Sequence, residues 1–181
     1  MLPSGRPASG ANLSAGATAG ARRVILAVDP SLRGTGYAVL ISEGPSRKIR
    51  AVTYGVVSNP ARLPHEACLL AIHDTLLALM DAHHPSGVAI ESVIYVQSFR
   101  TAIVLGSARG AVLLAAARRG LPIHEYAPRR VKQAVVGRGG AQKQQVGFMV
   151  RALLGLEETP PPDAADAIAV GLAHLQASRA S

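Results

Sequence analysis

The 181-residue sequence contains one cysteine, no tryptophan and few aromatic residues of any kind, which together make up 3% of the chain. The single cysteine, Cys68, excludes an internal disulfide framework and a zinc cluster built from cysteines. Because it lies in an apolar helical stretch, Cys68 is expected to be a small core residue. This cysteine usage fits a reducing, cytoplasmic location.

Long hydrophobic runs and a secretion signal are also lacking. No uninterrupted apolar run reaches the length that spans a membrane, so no membrane partner is expected. Residues 1–21 are rich in Gly, Ala and Ser and contain no apolar signal-peptide core. Such a segment buries too little apolar surface to offset its ordering entropy, which predicts a disordered tail or a start codon assigned too far upstream.

Acidic residues are few, since 11 Asp and Glu stand against 19 Lys and Arg and the formal net charge is +8. This excess of positive charge favours a polyanionic partner, although it does not identify which one. The plainer explanation is a basic protein from a GC-rich genome, and the alanine-rich composition supports that explanation in part.

The pattern of apolar segments and turns predicts one α/β domain over residues 22–177, with a short C-terminal tail at 178–181. Three early strands joined by short turns predict an antiparallel meander, and later strands that alternate with helices favour parallel pairing. The predicted fold is a mixed five-stranded sheet flanked by helices, without internal repeats. The predicted strands are 24–29, 35–41, 48–57, 87–91 and 123–126, and the predicted helices are 62–82, 98–119, 128–136, 142–154 and 163–176.

Four acids occupy positions that suit metal ligands. Asp29 and Glu91 each end an apolar strand, and Asp163 and Asp166 lie three positions apart on one face of a helix that follows three prolines. Singly, each acid has a structural explanation as a helix cap or a turn residue. Parallel strands, however, gather functional groups at their carboxyl ends, and carboxylates bind hard divalent cations. In a basic chain, this joint placement predicts a metal-dependent nuclease.

Three other features have competing interpretations. The turn after Asp29 also resembles the phosphate-binding hairpin of actin-like ATPases, but those proteins need two such loops and one is present. Tyr95 follows Glu91 closely. Its side chain could stack on an unpaired base or pack in the core, and the sequence favours neither role over the other. The six histidines match no zinc-ligand spacing.

Motifs in collinear order over residues 24–176 resemble the RuvC family of Holliday junction resolvases. They are ILAVDPSLRGTGY at 25–37, AIE at 89–91, LGSARG at 105–110, VKQAVVG at 131–137, AQKQQV at 141–146 and DAADA at 163–167. The resemblance implies a ribonuclease H-like fold and a homodimer that cuts two symmetric strands of four-way junction DNA. It also implies two Mg²⁺ or Mn²⁺ ions per active site, nicks with 5′-phosphate and 3′-hydroxyl ends, and the branch-migration proteins RuvA and RuvB as partners.

The resemblance also implies roles for individual residues. Asp29, Glu91, Asp163 and Asp166 would hold the metal ions. Lys143 and Lys132 would lie at or near the scissile phosphate, Lys143 with a catalytic role. Further DNA contacts are expected from Arg129, Arg109, Ile94 and Tyr95. Ile94 has the position of a junction-probing aromatic residue in the family, which leaves open whether Ile94 or Tyr95 is the wedge. Ser31 departs from the glycine that is usual in the family.

Two alternative functions remain open at this stage. A ribonuclease H-like protein of the YqgF type, proposed to act on RNA, would share the Asp29 turn but not the Lys132 and Lys143 segments in this form. A non-catalytic junction-binding scaffold would keep the fold, but the presence of all four acids argues against it.

A small-residue stripe on the helix 98–119 bears on assembly. Ala102, Gly106 and Gly110 recur every four residues, and each mid-helix glycine costs about 1 kcal/mol relative to alanine. Packing against the protein's own sheet would explain the stripe. The resemblance favours a homodimer interface at this helix, because a two-fold symmetric junction calls for two active sites.

Overall fold

The computed structural model describes residues 22–44, 46, 48–93 and 98–177. The expected tails at 1–21 and 178–181, and the expected DNA contacts Ile94 and Tyr95, lie outside these residues. The elements in chain order are β1 Arg23–Asp29, β2 Gly34–Glu43, β3 Lys48–Ser58, α1 His65–His83, β4 Val88–Glu91, α2 Phe99–Arg118, β5 Ile123–Tyr126, α3 Pro128–Val136, α4 Lys143–Leu154 and α5 Pro162–Ala177.

The five strands form a single mixed sheet in the order β3-β2-β1-β4-β5. β1, β2 and β3 pair antiparallel as a meander, whereas β4 pairs parallel with β1 and β5 pairs parallel with β4. The predicted sheet is therefore confirmed in strand number and in strand direction. Its central strand is β1, and its parallel neighbour is β4, so their carboxyl ends meet at one edge.

Both faces of the sheet are covered, because side chains alternate between two apolar clusters. On β1, Leu26 and Val28 pack with α1 and α2, whereas Ile25 and Ala27 pack with α3, α4 and α5. A strand buried on both faces has no polar positions, which explains why residues 24–28 form an unbroken apolar run.

The turn between β1 and β2 is closed by Thr35, whose buried hydroxyl bonds both backbone groups of Ser31. The Ser31 N–H donates to Thr35 Oγ1 over 3.2 Å, and Oγ1 donates to the Ser31 carbonyl. Ser31 is not among the described residues with positive φ, so the turn does not require the glycine usual in the family.

Helix α1 begins three residues later than predicted, at His65. Pro64 directly before it has an extended backbone (φ −56°, ψ 154°). Arg33 donates from one guanidinium nitrogen to the carbonyls of Pro60 and Leu63, over 2.7 and 2.9 Å, and so fixes residues 60–63 as a loop. The error arose because apolar spacing does not reveal a side chain from another element binding the loop carbonyls.

Helix α2 is long and apolar enough to cross a membrane by length and composition alone. The same test is passed by core helices of globular proteins. One side of α2 packs on the sheet and on α1 through Ala108, Val112 and Ala115, which are fully buried. The opposite side is exposed.

Candidate metal centre and nucleic-acid interface

The structure brings three of the four predicted acids together at the carboxyl end of β1. One carboxylate oxygen from each of Asp29, Asp163 and Asp166 lies within 4.8 Å of the other two. Glu91 ends the adjacent parallel strand, where Val28 is paired with Ile90. It falls outside that 4.8 Å group but is close enough to raise the pKa of Asp29. The four acids therefore form one cluster with Glu91 on one side.

Helix α5 delivers two of these acids by lying unusually close to β2. A Cβ atom added to Gly36 would overlap the backbone carbonyl of Asp163, and one added to Gly34 would lie 2.6 Å from Asp163 Oδ2. The two glycines thus make room for the first turn of α5. Sequence reasoning placed them in a hairpin and missed this role, although glycine at alternate positions of a strand is a known signal of close backbone approach.

The cluster has a high electrostatic cost without a cation. The pKa of Asp29 is raised from 3.8 to about 7, chiefly by burial and further by the charges of Glu91, Asp166 and Asp163, while Lys143 opposes the increase. Burial and Asp166 likewise raise the pKa of Glu91. Acids that are partly withdrawn from water and repel one another favour a site that a divalent cation would neutralise.

Lys143 lies at the edge of the acid cluster. It is the first residue of α4, and its Nζ is 2.8 Å from Asp166 Oδ2. The Gln142 backbone N–H donates to Gln145 Oε1 over 3.0 Å and fixes this helix end, so the lysine side chain starts from a defined backbone position. The bond to Asp166 raises the pKa of the Lys143 ammonium, which keeps it charged at neutral pH.

The other predicted DNA contacts lie on two elements. Lys132 is half-buried on α3, and its charge lowers the pKa of Glu91, which places it beside the acids. Arg129 is exposed in the first turn of the same helix. Arg109 on α2 is different, because its side chain is 17% exposed and its guanidinium lies 2.6 Å from Glu125 Oε1.

A cavity of about 330 Å³ opens beside Asp29 and Glu91. Its wall includes Ser92 and Val93, the last described residues before 94–97, together with Arg109 from α2. The cavity therefore extends from Asp29 and Glu91 to Arg109 on α2.

The donor set at the cluster is composed of oxygen alone, which suits hard cations such as Mg²⁺ and Mn²⁺ rather than zinc. Within the described ranges, Asp29, Asp163 and Asp166 form the one group of at least three potential ligands close enough to share an ion. Two of the histidines, His124 and His174, lie against each other with their ring centroids 4.6 Å apart and their planes tilted by 47°.

Comparison with known proteins gives one consistent family. The family model described as crossover junction endodeoxyribonuclease RuvC matches residues 25–174. The chain is 56% identical over 151 residues to the protein of that description from Akkermansia muciniphila, covering 83% of this chain and 89% of that protein. It is 42% identical over 158 residues to the one from Syntrophomonas wolfei, covering 87% and 91%.

Solved structures give the same result. The structure described as T. thermophilus RuvC in complex with Holliday junction substrate is similar with a TM-score of 0.81 and 35% identity, covering 87% of this chain and 96% of that one. The yeast mitochondrial Holliday junction resolvase Ydc2 has a TM-score of 0.57 at 13% identity, covering 86% and 81%. At that identity the second likeness concerns the fold alone.

Proposed function

This chain belongs to the RuvC family of crossover junction endodeoxyribonucleases, and from that premise we propose that it resolves four-way DNA junctions by metal-dependent phosphodiester hydrolysis. Its ribonuclease H-like fold is the one expected from the resemblance. Family membership leaves no role for the YqgF-type alternative. The assembled acid cluster argues against a non-catalytic scaffold.

The observation that carries the proposal is the cluster of Asp29, Asp163 and Asp166, with Glu91 on the adjacent strand. These acids would hold Mg²⁺ or Mn²⁺, two ions per site. When bound, such ions stabilise both the attacking water and the leaving 3′ oxygen of an in-line displacement, and the products carry 5′-phosphate and 3′-hydroxyl ends.

Basic residues around the cluster would bind and orient the scissile strand. Lys143 presents its ammonium group 2.8 Å from Asp166, where it would offset charge on the pentacovalent phosphate. Lys132 would contact the same strand from α3, and the exposed Arg129 would contact a neighbouring phosphate. These contacts would hold the phosphodiester beside the acids and so favour hydrolysis over dissociation of the DNA.

Paired cutting requires two active sites, and we propose a homodimer that meets through α2. The support is an exposed apolar stripe on this helix at helical spacing, formed by Phe99, Ile103, Gly106, Gly110 and Leu114. Added Cβ atoms at Gly106 and Gly110 would contact nothing within 4 Å, so these glycines do not serve packing within the described part of the subunit. Ala102 is half-buried beside the stripe.

The cellular setting follows from family membership alone. We propose that the protein works in the cytoplasm with the branch-migration proteins RuvA and RuvB, which would supply junctions for cutting. The net charge of +8 supports association with DNA.

The proposal is tested by incubating the protein with a four-way junction, a Y-shaped DNA and a linear duplex, each with Mg²⁺, with Mn²⁺ or with EDTA. We expect symmetric nicks in the junction alone, only with metal, and closure of the nicks by ligase. Asp29→Asn is the matched variant, and it should bind the junction without cutting it. Equal cutting of all three DNAs, or undiminished cutting by Asp29→Asn, would contradict the proposal.

A further inference from the structure

We propose that Arg109, together with Glu125, positions the metal ligand Glu91 and does not itself contact DNA. This inference rests on the proposed function of the acid cluster. It concerns an ion pair between α2 and β5, beside the proposed metal ligands.

The first observation is that one guanidinium bridges two elements. Arg109 Nη2 lies 2.6 Å from Glu125 Oε1 on β5, and Nη1 donates to the Glu91 backbone carbonyl over 3.3 Å. A planar guanidinium presents its N–H groups in a fixed fork and can satisfy both acceptors at once. Helix α2 is thereby tied to the ends of β4 and β5.

The second observation is where this bridge is attached. Glu91 is the last residue of the four-residue strand β4, so the ladder ends there and the chain leaves the sheet. The Ser92 N–H donates to the Tyr126 carbonyl over 2.9 Å, which holds the following peptide from the β5 side. Arg109 holds the same stretch of backbone from the α2 side. The two bonds fix the point from which the Glu91 side chain extends.

The third observation is that the ion pair between Arg109 and Glu125 contributes little to the stability of the fold. Glu125 is 51% exposed at its side chain, and ion pairs with such exposure contribute little to stability because water screens them. Arg109 also lines the cavity beside Asp29 and Glu91. Groups that orient a metal ligand from behind typically change metal affinity or activity by roughly 10-fold to 100-fold when they are removed.

The bridge also joins two regions that must act together. α2 carries the exposed stripe proposed for the dimer, while Glu91 belongs to the proposed metal centre. Arg109 therefore couples the position of α2 to the geometry of the acids.

Arg109→Gln, Arg109→Lys and Glu125→Gln separate positioning from DNA contact. Under our proposal all three raise the Mn²⁺ concentration needed for half-maximal cleavage by about 10-fold. The Mn²⁺-induced increase in Tm of the DNA-free protein should shift by a similar factor. Lysine keeps the charge but lacks the planar fork, so Arg109→Lys should not restore the metal response.

A phosphate contact predicts a different pattern. Arg109→Gln would then weaken junction binding in EDTA and lower the log–log salt slope by about 1. Glu125→Gln would act in the opposite direction, because it releases the guanidinium for DNA. Our proposal instead predicts the same defect from both variants and a junction Kd within about two-fold of wild type, since a positioning side chain contributes no phosphate contact.

The matched control is the exposed pair Arg119–Asp81, whose two hydrogen bonds of 2.6 and 2.7 Å join the C-terminal end of α2 to α1. Arg119→Gln should leave the metal response unchanged. If Arg109→Gln folds poorly, the exposed Glu125→Gln carries the test. An unchanged metal response in Glu125→Gln, or its restoration by Arg109→Lys, would overturn the proposal. Absence of junction cutting by the wild-type protein would instead refute the underlying function, and the DNA-free metal titration would still report on positioning.

Discussion

Asp29 bears the main electrostatic penalty of gathering four acids. Its pKa is raised from 3.8 to about 7 in the folded, metal-free protein, chiefly by burial. A protein that contains an acid with a raised folded-state pKa loses stability as pH rises, because the acid gives up its proton at a lower pH in the unfolded chain than in the folded protein. The loss begins near pH 4 and is complete above about pH 7. It amounts to at most about 4 kcal/mol.

Asp29→Asn should therefore stabilise the metal-free protein at pH 8 and leave it unchanged near pH 4. Asparagine keeps the shape of the side chain but has no charge to bury. The measurement is the Tm of both proteins in EDTA between pH 4 and pH 8. A Tm difference that does not depend on pH would show that the carboxylate of Asp29 is not the source of the penalty.

Lys143 and Arg129 are expected to differ in what they contribute to catalysis. Lys143 touches the acid cluster through Asp166, so Lys143→Ala should lower the single-turnover rate more than junction affinity. The exposed Arg129 makes no such contact, and Arg129→Ala should weaken binding and reduce the salt slope by about 1. Rates and Kd values measured over a series of salt concentrations distinguish the two. Weaker binding by Lys143→Ala at an unchanged rate would limit Lys143 to docking.

The positions of the acids were predictable because two of them end strands and two lie near the start of a helix. Asp29 and Glu91 follow apolar strands, and strand direction then places them at one edge of the sheet. The partner of Arg109 was not predictable in this way. Glu125 lies on β5, and its approach to α2 depends on tertiary packing that leaves no periodic trace in the sequence. The same is true of Arg33, whose bonds to loop carbonyls set the start of α1.

At the scale of elements, the proposed metal centre depends on how closely α5 lies against β2. Gly36 faces the Asp163 carbonyl with no space for a side chain. Gly36→Ala must displace backbone rather than a flexible side chain, which typically costs about 1–3 kcal/mol. We therefore expect a lower Tm and a severe loss of junction cutting, even though all four acids remain.

Gly140→Ala is the control for that prediction. An added Cβ at Gly140 meets nothing within 4 Å, and this glycine is exposed. It should leave Tm and cutting close to wild type. Wild-type activity in Gly36→Ala, measured with the same junction and metal, would mean that α5 can shift without moving its acids.

Element boundaries were predictable wherever the sequence contains a physical break. Pro162 starts α5, and Gly137 and Gly155 end α3 and α4 in the left-handed conformation that glycine adopts without strain. The depth to which one element packs on another was not predictable, because glycine within β2 is equally compatible with a hairpin. Only the position of α5 shows which interpretation of Gly34 and Gly36 applies.

At the scale of the whole molecule, one face of α2 is buried in the core and the other is exposed although it is apolar. The inner face is part of the apolar core, whereas the outer face exposes large apolar side chains, with Ile103 at 70% and Leu114 at 58% exposure. Leu70 of α1 and Leu114 flank Gly110 in a groove of about 470 Å³. Contiguous exposed apolar surface of this kind usually marks an interaction site.

A charge at the centre of this groove should separate the subunits. In Gly110→Glu the carboxylate would be buried at the proposed contact with a second copy, and withdrawing a charge from water at an apolar contact is unfavourable. In the free subunit Gly110 is exposed and an added Cβ contacts nothing within 4 Å, so the subunit itself should fold normally.

Light scattering of Gly110→Glu should give a monomer. Junction cutting should change from paired incision to single nicks, because one subunit presents one acid cluster to a two-fold symmetric substrate. Gly140→Glu makes the same charge change at an exposed glycine outside α2 and should remain dimeric. If Gly110→Glu stays dimeric and cuts both strands, the interface lies on another face of the molecule, and the glycines of α2 need a different explanation.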